Sequence, residues 1–263
     1  MQNKHIVITG GATGIGAETC ALLSSSGARL TVLDIHEPVH QVDTYIKLDL
    51  NDLNSIDKAI TAIETPVHCL FNVAGLPPRP EMAATVLRVN FFGLRRLTTG
   101  LLSVMVNDGA IVNVSSRAGS NWRENIAQVK ALMSLPDDAN LDAFCQEQGI
   151  DDTRAYNLSE EAVTVWTMAQ TEPLIARRIR MNSVSPGAVA TGILDDFKTA
   201  FGDRVAKMLA RVGRPAQPSE VAQLIVFLAS PASVWLKGVD IPIDGGIGAL
   251  GVCDALVLSG LRL

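Results

Sequence analysis

Tyr156 and Glu160 lie four residues apart in the segment AYNLSEE (155–161), at a spacing that could support acid–base chemistry. A free tyrosine titrates near a pKa of ~10, so it acts as a base near neutral pH only where a neighbouring group lowers that pKa. A cation one helical turn away would do so, but position 160 carries an acid. Side chains at this spacing are also ordinary neighbours on a solvated helix face. The segment alone therefore leaves a catalytic and a purely structural interpretation open.

A glycine-rich segment near the N-terminus, TGGATGIG (9–16), has the composition of a phosphate-binding turn. Gly10, Gly14 and Gly16 allow a tight turn and a close approach of the backbone to a pyrophosphate at the N-terminus of the next helix. Many strand–helix turns use glycine, but this one directly follows a predicted strand and opens a helix. We therefore expect it to bind a nucleotide, with Thr13 and Ile15 as further candidate contacts.

Asp34 ends the second predicted strand, 18 residues after Gly16. An acid at this place can accept hydrogen bonds from the ribose hydroxyls of an adenosine and would repel a 2′-phosphate. The residues that follow, IHEP (35–38), include no arginine, so Asp34 and Ile35 favour NAD over NADP. The alternative is that Asp34 only begins a turn.

Short apolar strands alternate with longer helical segments along the chain. Helical patterns lie, for example, at 16–27 and 53–64. The predicted strands cover 5–9, 29–34, 45–49, 67–73, 110–116, 179–186 and 239–244. This alternation, with strands that are almost continuously apolar, predicts a parallel sheet covered by helices on both faces. No internal repeat or linker divides the sequence, so we expect one α/β domain over 1–263.

The segment from Arg117 to about Arg154 interrupts this alternation, because it contains no strand pattern. Two helices are predicted near 124–134 and 140–148, with a turn at LPDD (135–138) between them. We expect a helical insertion at the carboxyl edge of the sheet, where loops commonly carry function.

The composition limits the classes of function. With 48% hydrophobic and 19% charged residues, the 263-residue chain can bury a large core. Its formal charge of −5 argues against a nucleic-acid partner, and no apolar run is long enough to span a bilayer. The four cysteines are widely spread and match no metal-binding or disulfide pattern. We expect a cytoplasmic protein that uses no metal and acts on small molecules.

Six further motifs appear in a fixed order: NVAG (72–75), VNFFG (89–93), VNVSS (112–116), the tyrosine segment, SPGAVAT (185–191) and IDGG (243–246). Together they resemble the short-chain dehydrogenase/reductase family, and the resemblance covers essentially the whole chain. It implies a doubly wound Rossmann fold with a seven-stranded parallel sheet that binds a dinucleotide, which Asp34 indicates to be NAD. It also implies catalysis by an asparagine, a serine, a tyrosine and a lysine.

The resemblance assigns roles to individual residues. Asn90 corresponds to the asparagine that holds a proton-relay water, and Ser116, rather than Ser115, to the serine that binds the substrate oxygen. Tyr156 corresponds to the acid/base, and it also contacts the cofactor. The remaining cofactor contacts that the family implies are Asp49, Leu50, Asn72, Ala74, Gly75, Pro186, Gly187, Val189 and Thr191.

Glu160 departs from the family, because it occupies the position of the catalytic lysine. That lysine binds the nicotinamide ribose and lowers the pKa of the tyrosine, whereas a carboxylate in its place would raise that pKa. Two unit charges ~4 Å apart interact by about 4 kcal/mol at an effective dielectric constant of 20. We therefore expect an engineered or naturally impaired variant of an active enzyme, with a catalytically silent NAD(H)-binding protein as the alternative.

The 40 residues between Ser116 and Tyr156 exceed the usual spacing in the family. A long segment here resembles the branch of bacterial 3α-hydroxysteroid dehydrogenase/carbonyl reductases and coniferyl-alcohol dehydrogenases. The branch implies a bulky apolar alcohol, or its carbonyl form, as substrate, and a homodimer or homotetramer. The pocket is expected to be shaped by 76–80, 116–124, the insertion and 188–213. Trp122 and Met133 are candidates for its apolar wall, unless they serve only in packing.

Overall fold

A parallel seven-stranded sheet organises the computed structural model, which describes residues 1–64 and 66–261. The strands run in the order β3-β2-β1-β4-β5-β6-β7, and every neighbouring pair is parallel. Their bounds are His5–Thr9 (β1), Arg29–Asp34 (β2), Thr44–Lys47 (β3), Val67–Asn72 (β4), Met105–Val114 (β5), Arg180–Pro186 (β6) and Asp240–Ile243 (β7). The predicted single-domain Rossmann fold with seven parallel strands is therefore confirmed.

Helices cover both faces of the sheet. Short 3₁₀ segments lie at Leu102–Val104, Arg117–Asn121, Pro231–Ser233 and Leu258–Leu261, and a π-helical segment lies at Arg88–Gly93. The α-helices are Gly14–Ser25 (α1), Leu53–Ala62 (α2), Ala83–Leu87 (α3), Leu94–Leu101 (α4), Ile126–Met133 (α5), Leu141–Gln148 (α6), Asp152–Ala169 (α7), Thr171–Ile175 (α8), Leu194–Phe201 (α9), Asp203–Val212 (α10), Pro218–Ala229 (α11) and Ile247–Ala255 (α12).

The apolar strands form a core on each side of the sheet, because successive side chains of a strand point to opposite faces. In β1, Val7 packs in a cluster with residues of α2, α4 and α7. Its neighbours Ile6 and Ile8 pack in a second cluster with residues of α1 and α11. Every residue of β1 is buried, which explains why this strand lacks the polar alternation of a half-exposed strand.

The sheet reverses its strand order next to β1, which lies between β2 and β4. In doubly wound folds, ligands bind beyond the carboxyl ends of the strands at such a switch point. The two strand ends are joined here, since the Thr9 hydroxyl accepts hydrogen bonds from the amides of Val73 and Ala74 at 3.0 and 3.2 Å. The predicted functional segments after β1, β4, β5 and β6 all leave this edge of the sheet.

The third and fifth strands differ most from their expected boundaries. The third strand was predicted at 45–49 and is observed at Thr44–Lys47, which is paired residue by residue with Thr31–Asp34 of β2. It is an edge strand, so its pairing stops where β2 stops, and Asp49 and Leu50 lie in the following loop. The fifth strand begins at Met105 rather than near residue 110.

The insertion is helical at nearly the positions expected, with α5 and α6 in place of the predicted 124–134 and 140–148. Asn140 and Asp151 cap the amino ends of α6 and α7 through their side chains. Gly149 takes a left-handed conformation at the end of α6, with φ of +61°. Capping groups of these types commonly set the ends of short helices.

Candidate active site

The glycine turn forms a cradle that larger residues would fill. Gly10 has φ of +69°, and a Cβ on it would lie 2.7 Å from the backbone of Ala74. A Cβ on Gly16 would lie 1.9 Å from the carbonyl oxygen of Gly10. Helix α1 begins at Gly14, and the Thr13 side chain forms no capping hydrogen bond to it. Backbone amides at a helix N-terminus attract anions, so these residues fit the pyrophosphate of a dinucleotide.

Asp34 stands beside this cradle at the carboxyl end of β2. Its two carboxylate oxygens accept hydrogen bonds from the amides of Ala12 and His36, each at 3.0 Å. The neighbouring Ile35 is about half exposed. The carboxylate is thus held at the rim of the glycine turn, where an adenosine ribose would approach a cofactor's pyrophosphate site.

The predicted residues divide between one cavity and its surroundings. A cavity of about 220 Å³ opens beyond the carboxyl ends of β4, β5 and β6. The predicted residues that line it are Ile15, Ala74, Gly75, Asn90, Ser116, Tyr156, Glu160, Pro186, Gly187, Val189 and Thr191. Those that do not are Gly10, Thr13, Gly14, Gly16, Asp34, Ile35, Asp49, Leu50 and Asn72.

Asn72 illustrates the second group. Its side chain is buried and donates hydrogen bonds to the Thr98 hydroxyl at 2.9 Å and to Asn113 Oδ1 at 2.8 Å. It therefore faces α4 and β5 instead of the cavity. Leu50 is also buried, and a Cβ on Gly93 would lie 2.4 Å from its carbonyl oxygen.

Asn90 lies in the π-helical segment, a local widening that is often found at functional sites. Its Oδ1 accepts from the Leu76 amide at 2.8 Å, while its Nδ2 donates to the Leu76 carbonyl at 3.0 Å. The same Nδ2 lies 3.2 Å from Glu160 Oε1. The amide is therefore oriented with its nitrogen towards the carboxyl group.

The two serines after β5 have different environments. The Ser115 hydroxyl is buried and bonds to the Glu160 carbonyl at 3.1 Å and to the Thr164 hydroxyl at 3.0 Å. Both serines line the cavity, and the Ser116 hydroxyl accepts from the Ala118 amide at 3.1 Å and lies near enough to Tyr156 to influence its pKa. The Ser115 hydroxyl is thus engaged by α7, whereas the Ser116 hydroxyl is engaged by a backbone amide outside that helix.

Tyr156 lies in the first half of α7 and is buried, which excludes a solvated helix face for this side chain. Burial raises its pKa well above the usual value, and the charge of Glu160 raises it further, while the hydrogen bond with Ser116 acts in the opposite direction. An elevated tyrosine pKa was expected from Glu160. The structure shows that loss of solvent is the larger cause.

Glu160 is buried as well, with 5% of its surface exposed. Burial raises its pKa to about 8, although hydrogen bonds from Asn90 and Ser159 favour the ionised form. Asp240 adds to the increase. The sequence suggested an ionised carboxylate at this position, but the side chain is mostly a neutral acid at pH 7, because the loss of water outweighs these hydrogen bonds.

The outer wall of the cavity is apolar. The centroid of the Phe197 ring lies 5.3 Å from that of the Tyr156 ring, and the centroid of the Phe201 ring lies 6.3 Å from it. Both rings meet Tyr156 in edge-to-face geometry. Ile193, Val205 and Met208 extend this surface. These residues belong to the segment 188–213 that was predicted to shape the pocket. The four-residue spacing of Phe197 and Phe201, which puts both rings on one face of α9, could have identified them from the sequence.

Two other candidates for the wall lie elsewhere. Trp122 and Met133 do not line the cavity, and the Trp122 ring lies under the Arg123 guanidinium at 4.1 Å. The polar residues Asn121 and Asn157 do line it, and neither was singled out from the sequence.

Two family models match this chain: short chain dehydrogenase over residues 4–128 and enoyl-(acyl carrier protein) reductase over 139–248. A coniferyl-alcohol dehydrogenase from a Pseudomonas species is 36% identical, covering 95% of this chain and 98% of that protein. The chain belongs to the short-chain dehydrogenase family. A 3-alpha-hydroxysteroid dehydrogenase/carbonyl reductase from Comamonas testosteroni is 30% identical, covering 93% of this chain and 96% of that protein.

A solved member of the family has nearly the same fold. It is the 3-alpha-hydroxysteroid dehydrogenase of Pseudomonas sp. B-0831, determined in complex with NADH. It aligns with a TM-score of 0.83 and 30% identity, covering 94% of this chain and 98% of that one. The predicted membership in the short-chain dehydrogenases, and with it the assignment as an oxidoreductase, is therefore confirmed.

In this short-chain dehydrogenase, hydrogen bonds and an ion pair join the insertion to helix α7, which carries Tyr156 and Glu160. The buried Glu161 accepts from both terminal nitrogens of Arg154, at 3.0 and 2.7 Å, and from Asn125 Nδ2 at 2.7 Å. Arg154 Nε also donates to Gln128 at 2.7 Å. Since Tyr156 lies between Arg154 and Glu161 in the same helix, the insertion supports the residues around the site.

A second set of contacts joins the insertion to the helix that follows Asn90. Arg95 pairs with Asp137 at 2.6 Å and donates to the carbonyls of Met133 and Leu135. The turn between α5 and α6 is thereby held against α4.

Within residues 1–64 and 66–261, no helix combines the length and hydropathy that crossing a bilayer requires.

Proposed function

We propose that this chain is an NAD-dependent alcohol dehydrogenase or carbonyl reductase acting on a bulky apolar alcohol, such as a hydroxysteroid or an aromatic alcohol, or on its carbonyl form. One observation carries the proposal. The Ser116 hydroxyl and the Tyr156 phenol meet in a cavity that adjoins the glycine cradle. A substrate oxygen could bind both hydroxyls there, with its carbon directed towards a dinucleotide held by the cradle.

The residues divide the chemical work. A nicotinamide cofactor supplies the hydride acceptor or donor when it is bound. Ser116 holds the substrate oxygen, and Tyr156 exchanges the hydroxyl proton with it. Asn90 orients the Leu76 backbone and the Glu160 carboxyl group through its side-chain amide.

Cofactor binding is assigned to the two groups of predicted residues. The cradle and the adjoining loops would hold the pyrophosphate and the adenosine, through Gly10, Thr13, Gly14, Ile15, Gly16, Ile35, Asp49, Leu50 and the backbone of Asn72. Asp34 would accept from the ribose hydroxyls in exchange for its present backbone contacts, which supports NAD over NADP. The cavity wall would hold the nicotinamide end, through Ala74, Gly75, Pro186, Gly187, Val189 and Thr191.

The substrate class follows from the outer wall. Phe197 and Phe201 offer aromatic faces and edges beside the Tyr156 phenol, and such surfaces favour flat apolar rings. Asn157 Oδ1 is buried without a hydrogen-bond partner among the described residues, so it offers an acceptor to a second polar group of a substrate. The names of the relatives, a coniferyl-alcohol and a hydroxysteroid dehydrogenase, support the same class.

Glu160 is proposed to slow this reaction. Tyr156 has no cation at position 160 to lower its pKa, and its burial raises that pKa instead. The phenolate needed as a base is therefore scarce near neutral pH. The same observation favours a second candidate, an NAD(H)-binding protein without turnover. Retention of the Ser116 hydroxyl beside Tyr156 favours the enzyme.

The test combines cofactor binding with turnover on a panel of steroid, aryl and alicyclic alcohols and their ketones. We expect NADH to bind, the parent to turn over slowly, and Glu160→Lys to raise the rate by ~10²- to 10⁴-fold, the usual range for acid–base catalysis. Tyr156→Phe in the Glu160→Lys background should remove the gain. Nucleotide binding without turnover in either the parent or Glu160→Lys would favour the silent protein.

Two further features support proposals about assembly and location. Trp235, Leu256 and Val257 are largely exposed apolar residues, consistent with a homodimer or homotetramer. The four cysteines are free, which supports a cytoplasmic location. Sedimentation equilibrium would measure the oligomeric state.

A further inference from the structure

Glu160 is a buried acid on the wall of the cavity that forms no ion pair among the described residues. Its Oε1 receives hydrogen bonds from Asn90 Nδ2 at 3.2 Å and from the Ser159 hydroxyl at 3.4 Å. The ionisable groups that act on it are Tyr156 on its own helix and Asp240 on β7, and both are acids. Arg117 lines the same cavity but pairs with Asp244 at 3.0 Å, and in the described part of the chain no lysine or arginine forms an ion pair with Glu160.

The orientation of Asn90 makes this environment suitable for either charge state of the carboxyl group. Asn90 Oδ1 is already used by the Leu76 amide, so the group facing Glu160 is the Nδ2 donor. A donor can bond to Oε1 of a neutral acid and bonds more strongly to a carboxylate. A positive charge brought into the cavity would therefore ionise Glu160 without rearrangement of its neighbours.

The proposed reaction brings such a charge. Hydride transfer requires the nicotinamide ring to contact the carbon whose oxygen is bound by Ser116 and Tyr156. Glu160 lies one helical turn from Tyr156, about 6 Å along the axis, and lines the same cavity. The ring is positively charged when oxidised and neutral when reduced.

Resting on the proposed function, we propose that Glu160 is the counter-charge of the oxidised nicotinamide ring, so that binding of NAD⁺, but not of NADH, releases a proton from this side chain. The O–H bond of the carboxylic acid breaks, its electron pair stays on the carboxylate, and the proton passes to the buffer. Glu160 thus acquires a role in discriminating between the two redox states of the cofactor.

The size of the effect depends on how closely the ring approaches the carboxyl group. At a separation on the order of 8 Å and an effective dielectric constant of about 20, a unit charge would change the affinity by roughly 10- to 50-fold. Because the pKa of Glu160 without cofactor is raised to about 8, the side chain is mostly protonated at pH 7 and can lose roughly half a proton there on NAD⁺ binding. NADH should cause no such loss.

The experiment is isothermal titration calorimetry of NAD⁺ and NADH at pH 7, in two buffers with different ionisation enthalpies. The proteins are the parent, Glu160→Gln, and Glu172→Gln as a matched change at an exposed position. We expect about half a proton more to be released with NAD⁺ than with NADH in the parent and in Glu172→Gln. This difference should vanish in Glu160→Gln.

A second measurement uses the parent alone. The ratio of the NADH to the NAD⁺ dissociation constant should rise by at least tenfold between pH 6 and pH 9. If both nucleotides bind and proton release is the same for both, or survives in Glu160→Gln, the inference is overturned while the cofactor assignment stands. If neither nucleotide binds the parent, the inference and the proposed function both fail.

Discussion

Burial of Glu160 should make the stability of this protein depend on pH in an unusual direction. Its pKa rises from 4.5 to about 8 on folding, so the folded state holds a proton that the unfolded state loses. A carboxyl group whose pKa is raised by folding stabilises the folded protein fully at pH values below its pKa in the unfolded chain. This contribution to the free energy of unfolding is lost as the pH rises to the pKa of the group in the folded protein. The free energy of unfolding should therefore decrease between about pH 4.5 and about pH 8.

The magnitude follows from the same two values. Between pH 5 and pH 8 the linkage amounts to about 3 kcal/mol, an order-of-magnitude figure. Replacing Glu160 by Gln removes this dependence, because the amide is neutral in both states. For a domain of this size, a change of 1 kcal/mol in the free energy of unfolding shifts the melting temperature by ~2–4 °C. The melting temperature of Glu160→Gln relative to the parent should thus rise by about 6–12 °C from pH 5 to pH 8.

Differential scanning calorimetry of the parent, Glu160→Gln and Glu172→Gln at half-unit pH steps measures this effect. The exposed Glu172 provides the control, since its substitution should leave the pH profile of the parent unchanged. Parallel profiles for the parent and Glu160→Gln would refute the reasoning. They would mean that the carboxyl group at position 160 remains ionised and hydrated in the folded protein.

Three further predictions concern the cofactor and the substrate. Gly16→Ala should weaken NADH binding at least tenfold in a fluorescence titration, with the far-UV circular dichroism retained, because the new methyl would lie 1.9 Å from the Gly10 carbonyl oxygen. The parent should bind NADH at least tenfold more tightly than NADPH, because the Asp34 carboxylate repels a 2′-phosphate. Asp34→Asn should reduce the ratio of the two dissociation constants, and equal affinities of the parent for both cofactors would contradict the role assigned to Asp34. Phe197→Ala should raise KM for aromatic alcohols about tenfold in the Glu160→Lys background, because it removes a ring 5.3 Å from Tyr156.

The sheet and the glycine cradle could be predicted because local chemistry determines them. Strands buried on both faces, such as β1, require continuous apolar runs, and these are visible in the sequence. The close approaches at Gly10 and Gly16 exclude a side chain, so glycine at these positions is a direct signal. The end of the third strand was less predictable, because it depends on where β2 stops pairing.

The polar interior of the site could not be derived from local patterns. Asn72 resembles a cofactor contact in its motif, but its amide is used by Thr98 and Asn113, which are distant in sequence. The π-helical turn at Asn90 has no simple sequence signature. The orientation of the Asn90 side-chain amide depends on the Leu76 backbone. Only folding brings this backbone within 3.0 Å of the amide.

The structure also changes the explanation of why Glu160 should slow the enzyme. The sequence suggested an anion that opposes the ionisation of Tyr156. Because burial raises the pKa of Glu160 to about 8, the anion is a minor species at pH 7, and the missing cation remains as the main defect there. A neutral Gln at this position therefore supplies nothing that the tyrosine lacks, whereas a lysine supplies a positive charge. The rate of Glu160→Lys should therefore rise at a lower pH than that of the parent, and a gain equal to that of Glu160→Gln would exclude a role for the cation.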